Sequence, residues 1–334
     1  MEVRKTCRIA LDLLGGDGGL ELNLAGARRA LSADSHLSIR AFGPEPSIAE
    51  LVGNWPDTIL SRLYIVDVEQ GLASDAGPVE ALRKGRNSSI SRVLRSLSDN
   101  ESCAAVSGGS TGALMVLSRH LLGTWPGVDR PALMGALPTR QGRCWMLDLG
   151  ANLQVDAPRL HEFARLGEIA VRLLNGQSPV VGLLNVGTEP GKGPDLVREA
   201  GRLLDADGEL NFHGFVEADQ VFDGRVDLVV CDGFSGNVLL KSAEGAVRMM
   251  FAELGNTMGN SFCGWLARPR LKRLRDSLDP ARHNGAALLG VRGVVIKSHG
   301  GACERGVAHA IELAAREARA GLIDAMEEHF DAVD

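Results

Sequence analysis

Six times along this chain a short apolar run gives way to a glycine-rich turn, and then to a stretch whose apolar residues recur at helical spacing. Such a change of hydrophobic period marks a strand followed by a helix. Repeated in series, the unit builds a mainly parallel sheet, because each strand is followed by a helical crossover before the next. An α/β fold in three layers, with the sheet sandwiched by helices, is therefore expected.

The first unit is a strand at 9–13, the turn LGGDGG at 14–19 and a helix to about 31. The second is a strand at 103–106, the turn SGGSTG at 107–112 and a helix through 122. The third has a strand at 145–149, a turn at 150–152 and a helix at 158–174, opened by a proline as first helical turns allow. The fourth has a strand at 180–186, the turn GTEPGKG at 187–193 and a helix ending near 204. The fifth joins the run 226–231 through a turn at 232–237 to a helix bearing Leu240, Ala243, Val247, Met250 and Leu254. The sixth is 293–297, SHGGA at 298–302 and a helix from about 303 to 330. In an open α/β sheet, ligands bind where helix N-termini present unpaired N–H groups at the carboxyl ends of the strands. All six turns are expected on that one edge. In the fifth, Gly233 and Gly236 let backbone approach an anion, and Asn237 adds an uncharged hydrogen-bonding side chain. The same residues also read as a plain turn with Asn237 as a helix cap.

The chain has 334 residues, 45% of them hydrophobic, enough for one large core or two lobes sharing a sheet. We expect a single large domain over 1–334 with a helical hairpin protruding at about 245–280. A net charge of −6 argues against nucleic acid as a partner, which needs an electropositive face. The six cysteines, at 7, 103, 144, 231, 263 and 303, show no Cys-x-x-Cys spacing, which points to a reducing, cytoplasmic setting. Asp12 interrupts the first apolar run, so no signal peptide is expected, and no run has the length of a membrane span.

Several cofactor patterns fail. Ser107 stands where a dinucleotide fingerprint needs its first glycine. GTEPGKG is too short for a Walker loop and carries Gly193 where magnesium binding needs Ser or Thr. His161 and Glu162 are followed by Arg165 where a zinc motif needs histidine. No cofactor and no metal are expected. One pattern does match: residues 108–112 spell G-x-S-x-G, the nucleophile elbow of serine acyl hydrolases, with Ser110, Asp148 and His299 in a permissible triad order. A serine-dependent acyl hydrolase or thioesterase using Ser110 is thus an alternative function.

Read together, the turns resemble the bacterial acyl-acyl carrier protein:phosphate acyltransferase family. The likeness rests on IALDLLGGDGG, AVSGGSTGALM, DRPAL from Asp129, LDLGAN from Leu147 and GLLNVGTEPGKG from Gly182. It continues through VVCDGFSGNVLLKSAEG from Val229 to NGAALLGVRGVVIKSHGGA from Asn284, in the family's order. The chain departs from the pattern at Leu14 for Met, Ser110 for Asn and Thr188 for Glu, and lacks the usual proline at 18–20. Because the family carries Asn where Ser110 stands, that position is no obligatory nucleophile there.

The resemblance implies a fold like those of phosphotransacetylases and isocitrate or isopropylmalate dehydrogenases. It implies attack of inorganic phosphate on the thioester of a fatty acyl carrier protein, yielding acyl phosphate for phospholipid synthesis. It also implies a homodimer, and a membrane-bound glycerol-3-phosphate acyltransferase as consumer. Such a reaction demands positioning and charge stabilisation more than strong acid or base. The leading catalytic candidates are Lys192 and Asn237, with His299 a candidate to protonate the departing sulfur. Asp17, Ser107, Ser110, Thr111, Asn152, Gly233 and Gly236 rank as substrate-binding groups.

Residues 262–275, FCGWLARPRLKRLR, hold the densest basic cluster of an acidic chain. Phe262, Trp265 and Leu266 beside Arg268, Arg270, Lys272, Arg273 and Arg275 suit a segment lying on an anionic membrane surface. They also suit docking of an acidic carrier protein, or a solvated hairpin in a dimer. The expected location is cytoplasmic with peripheral membrane association.

Overall fold

The computed structural model describes residues 6–73, 75–258 and 262–331. Strand β1 (Cys7–Asp12) leads into α1 (Gly19–Ala33), followed by β2 (Leu37–Gly43), α2 (Glu45–Val52), α3 (Asp57–Leu60) and β3 (Leu63–Asp67). Helices α4 (Pro78–Lys84) and α5 (Ser89–Ser98) precede β4 (Ala104–Ser107) and α6 (Thr111–Leu122). A hairpin of β5 (Ala132–Thr139) and β6 (Gly142–Leu147) precedes α7 (Ala157–Asn175), β7 (Val180–Leu184), α8 (Asp195–Ala206), β8 (Asn211–Val216) and β9 (Leu228–Val230). Then come α9 (Gly233–Met258), α10 (Phe262–Ser277), β10 (Ala286–Leu289), β11 (Val294–Lys297), α11 (Glu304–Ala320) and α12 (Leu322–Phe330).

The strands form one 11-stranded sheet in the order β3-β2-β1-β4-β11-β10-β5-β6-β9-β7-β8. Strand alternation fills both faces. Ile9, Leu11 and Ile39 point into a core shared with α1, α7 and α11, while Ala10, Phe42 and Ala105 pack with Leu94 of α5 and Leu114 of α6. Burial on two sides explains why these strands read as continuous apolar runs. Each fully buried Leu or Ile contributes about 1.5–3 kcal/mol.

The expectation that all six turns share one edge is overturned. Strand β10 is antiparallel to both β11 and β5, and β5 is antiparallel to β6, while β6, β9, β7 and β8 run parallel to one another. The second half of the sheet therefore points opposite to β1, β4 and β11. The turns after β1, β4 and β11 lie on the edge of one half and those after β6, β7 and β9 on the oppositely directed edge of the other, and the register of Lys297 with Ala286, Ala287 with Met134 and Met134 with Leu147 brings the two sets of strand ends level with each other. The physical cause is the hairpin at 139–142 and the short β10, neither of which stood out as a repeat unit.

Two helix boundaries also differ from expectation. Helix α9 begins at Gly233 because Asp232 caps it, accepting the Ser235 N–H at 2.8 Å and its hydroxyl at 2.7 Å. Asn237 is therefore not the cap. The last helix is broken at Gly321, whose φ of +80° ends α11 before α12 begins. Beyond 245, α9 is largely exposed and packs against α10. No described helix is long and apolar enough to cross a membrane.

Candidate active site

At the first edge, three glycine turns interlock. Lys297 pairs with Ser107 at the ends of β11 and β4, which places SHGGA beside SGGSTG. The buried Asp12 carboxylate, at the end of β1, accepts the Ser107 hydroxyl at 2.6 Å and the Leu14 N–H at 3.1 Å. Burial pushes the Asp12 carboxyl upward and these hydrogen bonds oppose it. Gly15 is required here, since a Cβ would meet the Asp12 carboxylate at 2.5 Å and the Gly109 nitrogen at 2.7 Å. The Asp17 N–H donates to the Gly300 carbonyl at 2.8 Å, joining the first turn to the third. Lys297 donates to the carbonyls of Gly108, at 3.2 Å, and Ser298. Burial lowers its pKa to about 8 although Asp17 and Asp12 pull the other way.

His299 is held on three sides. Its N–H donates to Asn284 Oδ1 at 2.9 Å, and its Nδ1 accepts the Gly301 N–H at 3.1 Å. Its Nε2 lies 3.0 Å from Nζ of Lys241, which also pairs with Glu244 at 2.9 Å. Burial, then Lys241, hold the imidazole below its ordinary pKa.

At the second edge the polar groups are engaged by the scaffold. The buried Asp148 carboxylate accepts the N–H groups of Leu133 at 3.0 Å, Ala151 at 3.0 Å and Asn152 at 2.6 Å. The Asn152 amide donates to Asp148 at 3.0 Å and to the Pro131 carbonyl at 2.9 Å. The Gly233 N–H donates to the Asn152 carbonyl at 2.8 Å, and a Cβ on Gly236 would sit 2.0 Å from the Asp148 carbonyl oxygen. These two glycines and Asn152 shape the turn. Asn237, in contrast, is exposed and lies over Gly150.

Helix α9 joins the two edges. It starts at the second edge, packs against β6 and reaches His299 at the first edge through Lys241. Asn237 and Lys241 are one helical turn apart and share a face, with Cβ atoms about 5–6 Å apart. Sequence reasoning missed Lys241, although the i, i+4 spacing from Asn237 in GNVLLKS could have found it, and it also missed Lys297.

Among the described residues, the side chains of the other predicted ones make no hydrogen bond to this group. Lys192 is exposed on the turn after β7 and pairs with Glu189 at 2.8 Å, which raises its pKa. A cavity of about 890 Å³ opens beside that turn, lined by Thr188, Gly191, Arg202, Phe215 and Arg225 among others, and no residue of the His299 group lines it. Ser110 caps α6, accepting the Ala113 N–H at 3.4 Å and donating to the Ala76 carbonyl at 2.9 Å, and Thr111 is the first residue of that helix. The elbow triad does not form: Asp148 is bound to its own loop at the second edge, while His299 contacts Lys241 at the first. On α10, Arg270, Lys272, Arg273 and Arg275 are exposed, and the side chains of Phe262, Trp265, Leu266 and Arg268 lie outside the described residues.

The mainly parallel, helix-flanked sheet is a fold shared with phosphotransacetylases of known structure. The chain superposes on a phosphotransacetylase from Streptococcus pyogenes with a TM-score of 0.63 at 17% identity, covering 94% of each chain. The EutD phosphotransacetylase from Staphylococcus aureus gives 0.62 at 18% identity over 94% of this chain and 96% of that one. The dehydrogenase likeness holds too, with a TM-score of 0.56 at 14% identity to 4-hydroxythreonine-4-phosphate dehydrogenase from Klebsiella pneumoniae, over 93% and 99% of the chains. These likenesses concern the fold. The profile of the family described as "Fatty acid synthesis protein" matches residues 7–325, and the chain belongs to that family. A "Phosphate acyltransferase" from Pseudomonas syringae pv. syringae is 44% identical over 318 residues, 94% of each protein. Another, from Nitrosococcus oceani, is 42% identical over 328 residues, 97% of this chain and 96% of that protein.

Proposed function

We propose that this chain is a phosphate acyltransferase, moving a fatty acyl group from the thioester of an acyl carrier protein to inorganic phosphate to supply acyl phosphate for phospholipid synthesis. The observation that carries the reading is a meeting of two donors. The Gly301 N–H on Nδ1 leaves the proton of neutral His299 on Nε2, and that N–H faces Lys241 Nζ at 3.0 Å. An anionic oxygen seated beside the pair can accept from both nitrogens.

In the reaction a phosphate oxygen bonds to the acyl carbon, the C–S bond breaks, and its electron pair leaves on sulfur. A thiol of pKa about 8.5 departs as thiolate and takes up, through solvent, the proton that the attacking hydrogenphosphate gives up. His299, with its pKa below the ordinary 6.5, then serves as a neutral hydrogen-bond donor and not as the acid. Asn237, in the first turns of α9, and Lys192, on the turn after β7, are assigned to the thioester carbonyl, where negative charge develops. The exposed basic face of α10 is assigned to an anionic membrane surface, near a membrane-bound consumer, and the active form to a homodimer.

The test is thiol release from acyl carrier protein with and without phosphate. Release should require phosphate and yield a product that hydroxylamine traps as hydroxamate. Equal release in phosphate-free buffer, with free fatty acid as product, sinks the reading.

A further inference from the structure

Cys7 opens β1 and Cys103 immediately precedes β4, at the end of those strands opposite Asp12 and Ser107. The strands are parallel neighbours with Ile9 beside Ala104, and the Cys103 N–H donates to the Arg8 carbonyl at 2.8 Å. Cys103 thus lies level with Arg8, one residue along from Cys7. One strand spacing across (about 4.8 Å) and one residue along (about 3.3 Å) put the two Cα atoms roughly 5.8 Å apart. A disulfide spans Cα separations of about 4.4–6.8 Å. Both cysteines are free, and each lies close enough to shift the titration of the other. Cys7 is buried while Cys103 is exposed, and the charges around the pair are Arg8, Arg319 and Asp34.

We infer that Cys7 and Cys103 form a hydroperoxide-reactive dithiol that closes to an intramolecular disulfide, a modification site at the opposite end of β1 and β4 from the turns beside His299. The two thiols are differentiated as attacking and resolving sulfurs must be. The neighbouring Cys7 thiol, followed by a backbone donor and the charges of Arg8 and Arg319, lowers the Cys103 pKa to about 5 against the effect of burial, while the Cys7 thiol is raised. An exposed thiolate beside a buried thiol is the arrangement that oxidises selectively. The Cys103 thiolate attacks the O–O bond of a hydroperoxide, taking one oxygen as sulfenic acid while the other leaves, protonated, as water or alcohol. Cys7 sulfur then attacks Cys103 sulfur and expels hydroxide, which takes the Cys7 proton and leaves as water. Two electrons pass from the thiols to the peroxide.

The test treats the full-length protein with one equivalent of hydrogen peroxide and maps peptides without reduction. Wild type should lose two hydrogens and give a linked Cys7–Cys103 peptide. Cys103 should react about tenfold or more faster than the exposed Cys303, which serves as internal control. Cys7→Ser should instead accumulate a dimedone adduct on Cys103, and Cys103→Ser should leave Cys7 reduced. No linked peptide from wild type, or Cys103 oxidised no faster than Cys303, overturns the inference. Should Cys7→Ser unfold, the wild-type measurements decide alone.

Discussion

The two edges of the sheet are built from the same kind of glycine turn, yet they handle their donors differently. After β6 and β9, three backbone N–H groups and the Asn152 amide end on the single Asp148 carboxylate, so the turn closes on itself. After β11, Lys241 Nζ and His299 Nε2 lie 3.0 Å apart, and Lys241, with Glu244 as one acceptor, keeps further N–H groups for an anion seated beside the pair. A glycine turn by itself therefore says only that backbone comes close. Whether its donors already have acceptors within the chain separates scaffold from site.

The largest effect should come from breaking the closed edge. Asp148→Ala strips the acceptor from three backbone N–H groups, each costing about 1–3 kcal/mol when left buried and unpaired, for a loss on the order of 4 kcal/mol of folding stability. Denaturant unfolding measures this directly. A midpoint close to that of wild type would show that the loop satisfies its amides some other way, and the contrast between the edges would fail.

The open edge should respond in turnover and not in stability. Lys241→Met removes an exposed ammonium, so the melting temperature should stay within about 2 °C. Its kcat/KM for phosphate should fall about a hundredfold, the usual loss when one preorganised charge contact is removed. Lys192→Ala should likewise lower turnover with little change in stability, but its loss should not depend on phosphate concentration if it serves the thioester. Near-normal turnover of Lys241→Met would break the anion assignment.

Most of this fold is legible in sequence because burial on both faces makes strands such as β1 and β9 continuous apolar runs. Strands β3, β5, β8 and β10 were missed because no glycine-rich turn running straight into a long helix follows them, and β2 because only the single Gly43, its last residue, leads to the short α2. The reversal of direction was illegible for the same reason: it depends on β10, four residues long, pairing antiparallel on both sides. The turns carrying Asp17, Ser107, Asn237 and His299 were legible as glycine punctuation. Lys241 was not, since only the path of α9 across the sheet brings it to His299.

Glu317 sharpens the comparison from a third place, since both its oxygens are buried without a hydrogen-bond partner yet it belongs to neither edge. Burial raises its pKa from 4.5 to about 8. With the folded value above the unfolded one, the fold holds this proton more tightly, so the associated stability is complete below pH 4.5 and is lost as pH rises through about 8. At pH 7.5 the protonated acid costs about 4 kcal/mol relative to a group that needs no proton, and a buried amide would cost about half of that. Glu317→Gln should thus gain about 2 kcal/mol at pH 7.5 and lose about 1 kcal/mol near pH 5. A gain independent of pH would mean that Glu317 is ionised in the fold.

The smallest effect is expected at Ser110, where the elbow pattern pointed most strongly to chemistry. Its hydroxyl accepts the Ala113 N–H as the cap of α6 and donates to the Ala76 carbonyl, so its capacity is engaged by the scaffold, as at the closed edge. Asparagine caps helices about as well as serine and brings its own amide donor, so Ser110→Asn should change stability by less than about 0.5 kcal/mol, whereas Ser110→Ala should cost about 1 kcal/mol. Turnover of Ser110→Asn should stay within about threefold of wild type, because no bond to this oxygen forms during transfer to phosphate. An acyl-serine mechanism instead requires a loss of several orders of magnitude in a folded protein. Steady-state rates of both variants beside their melting temperatures distinguish a cap from a nucleophile.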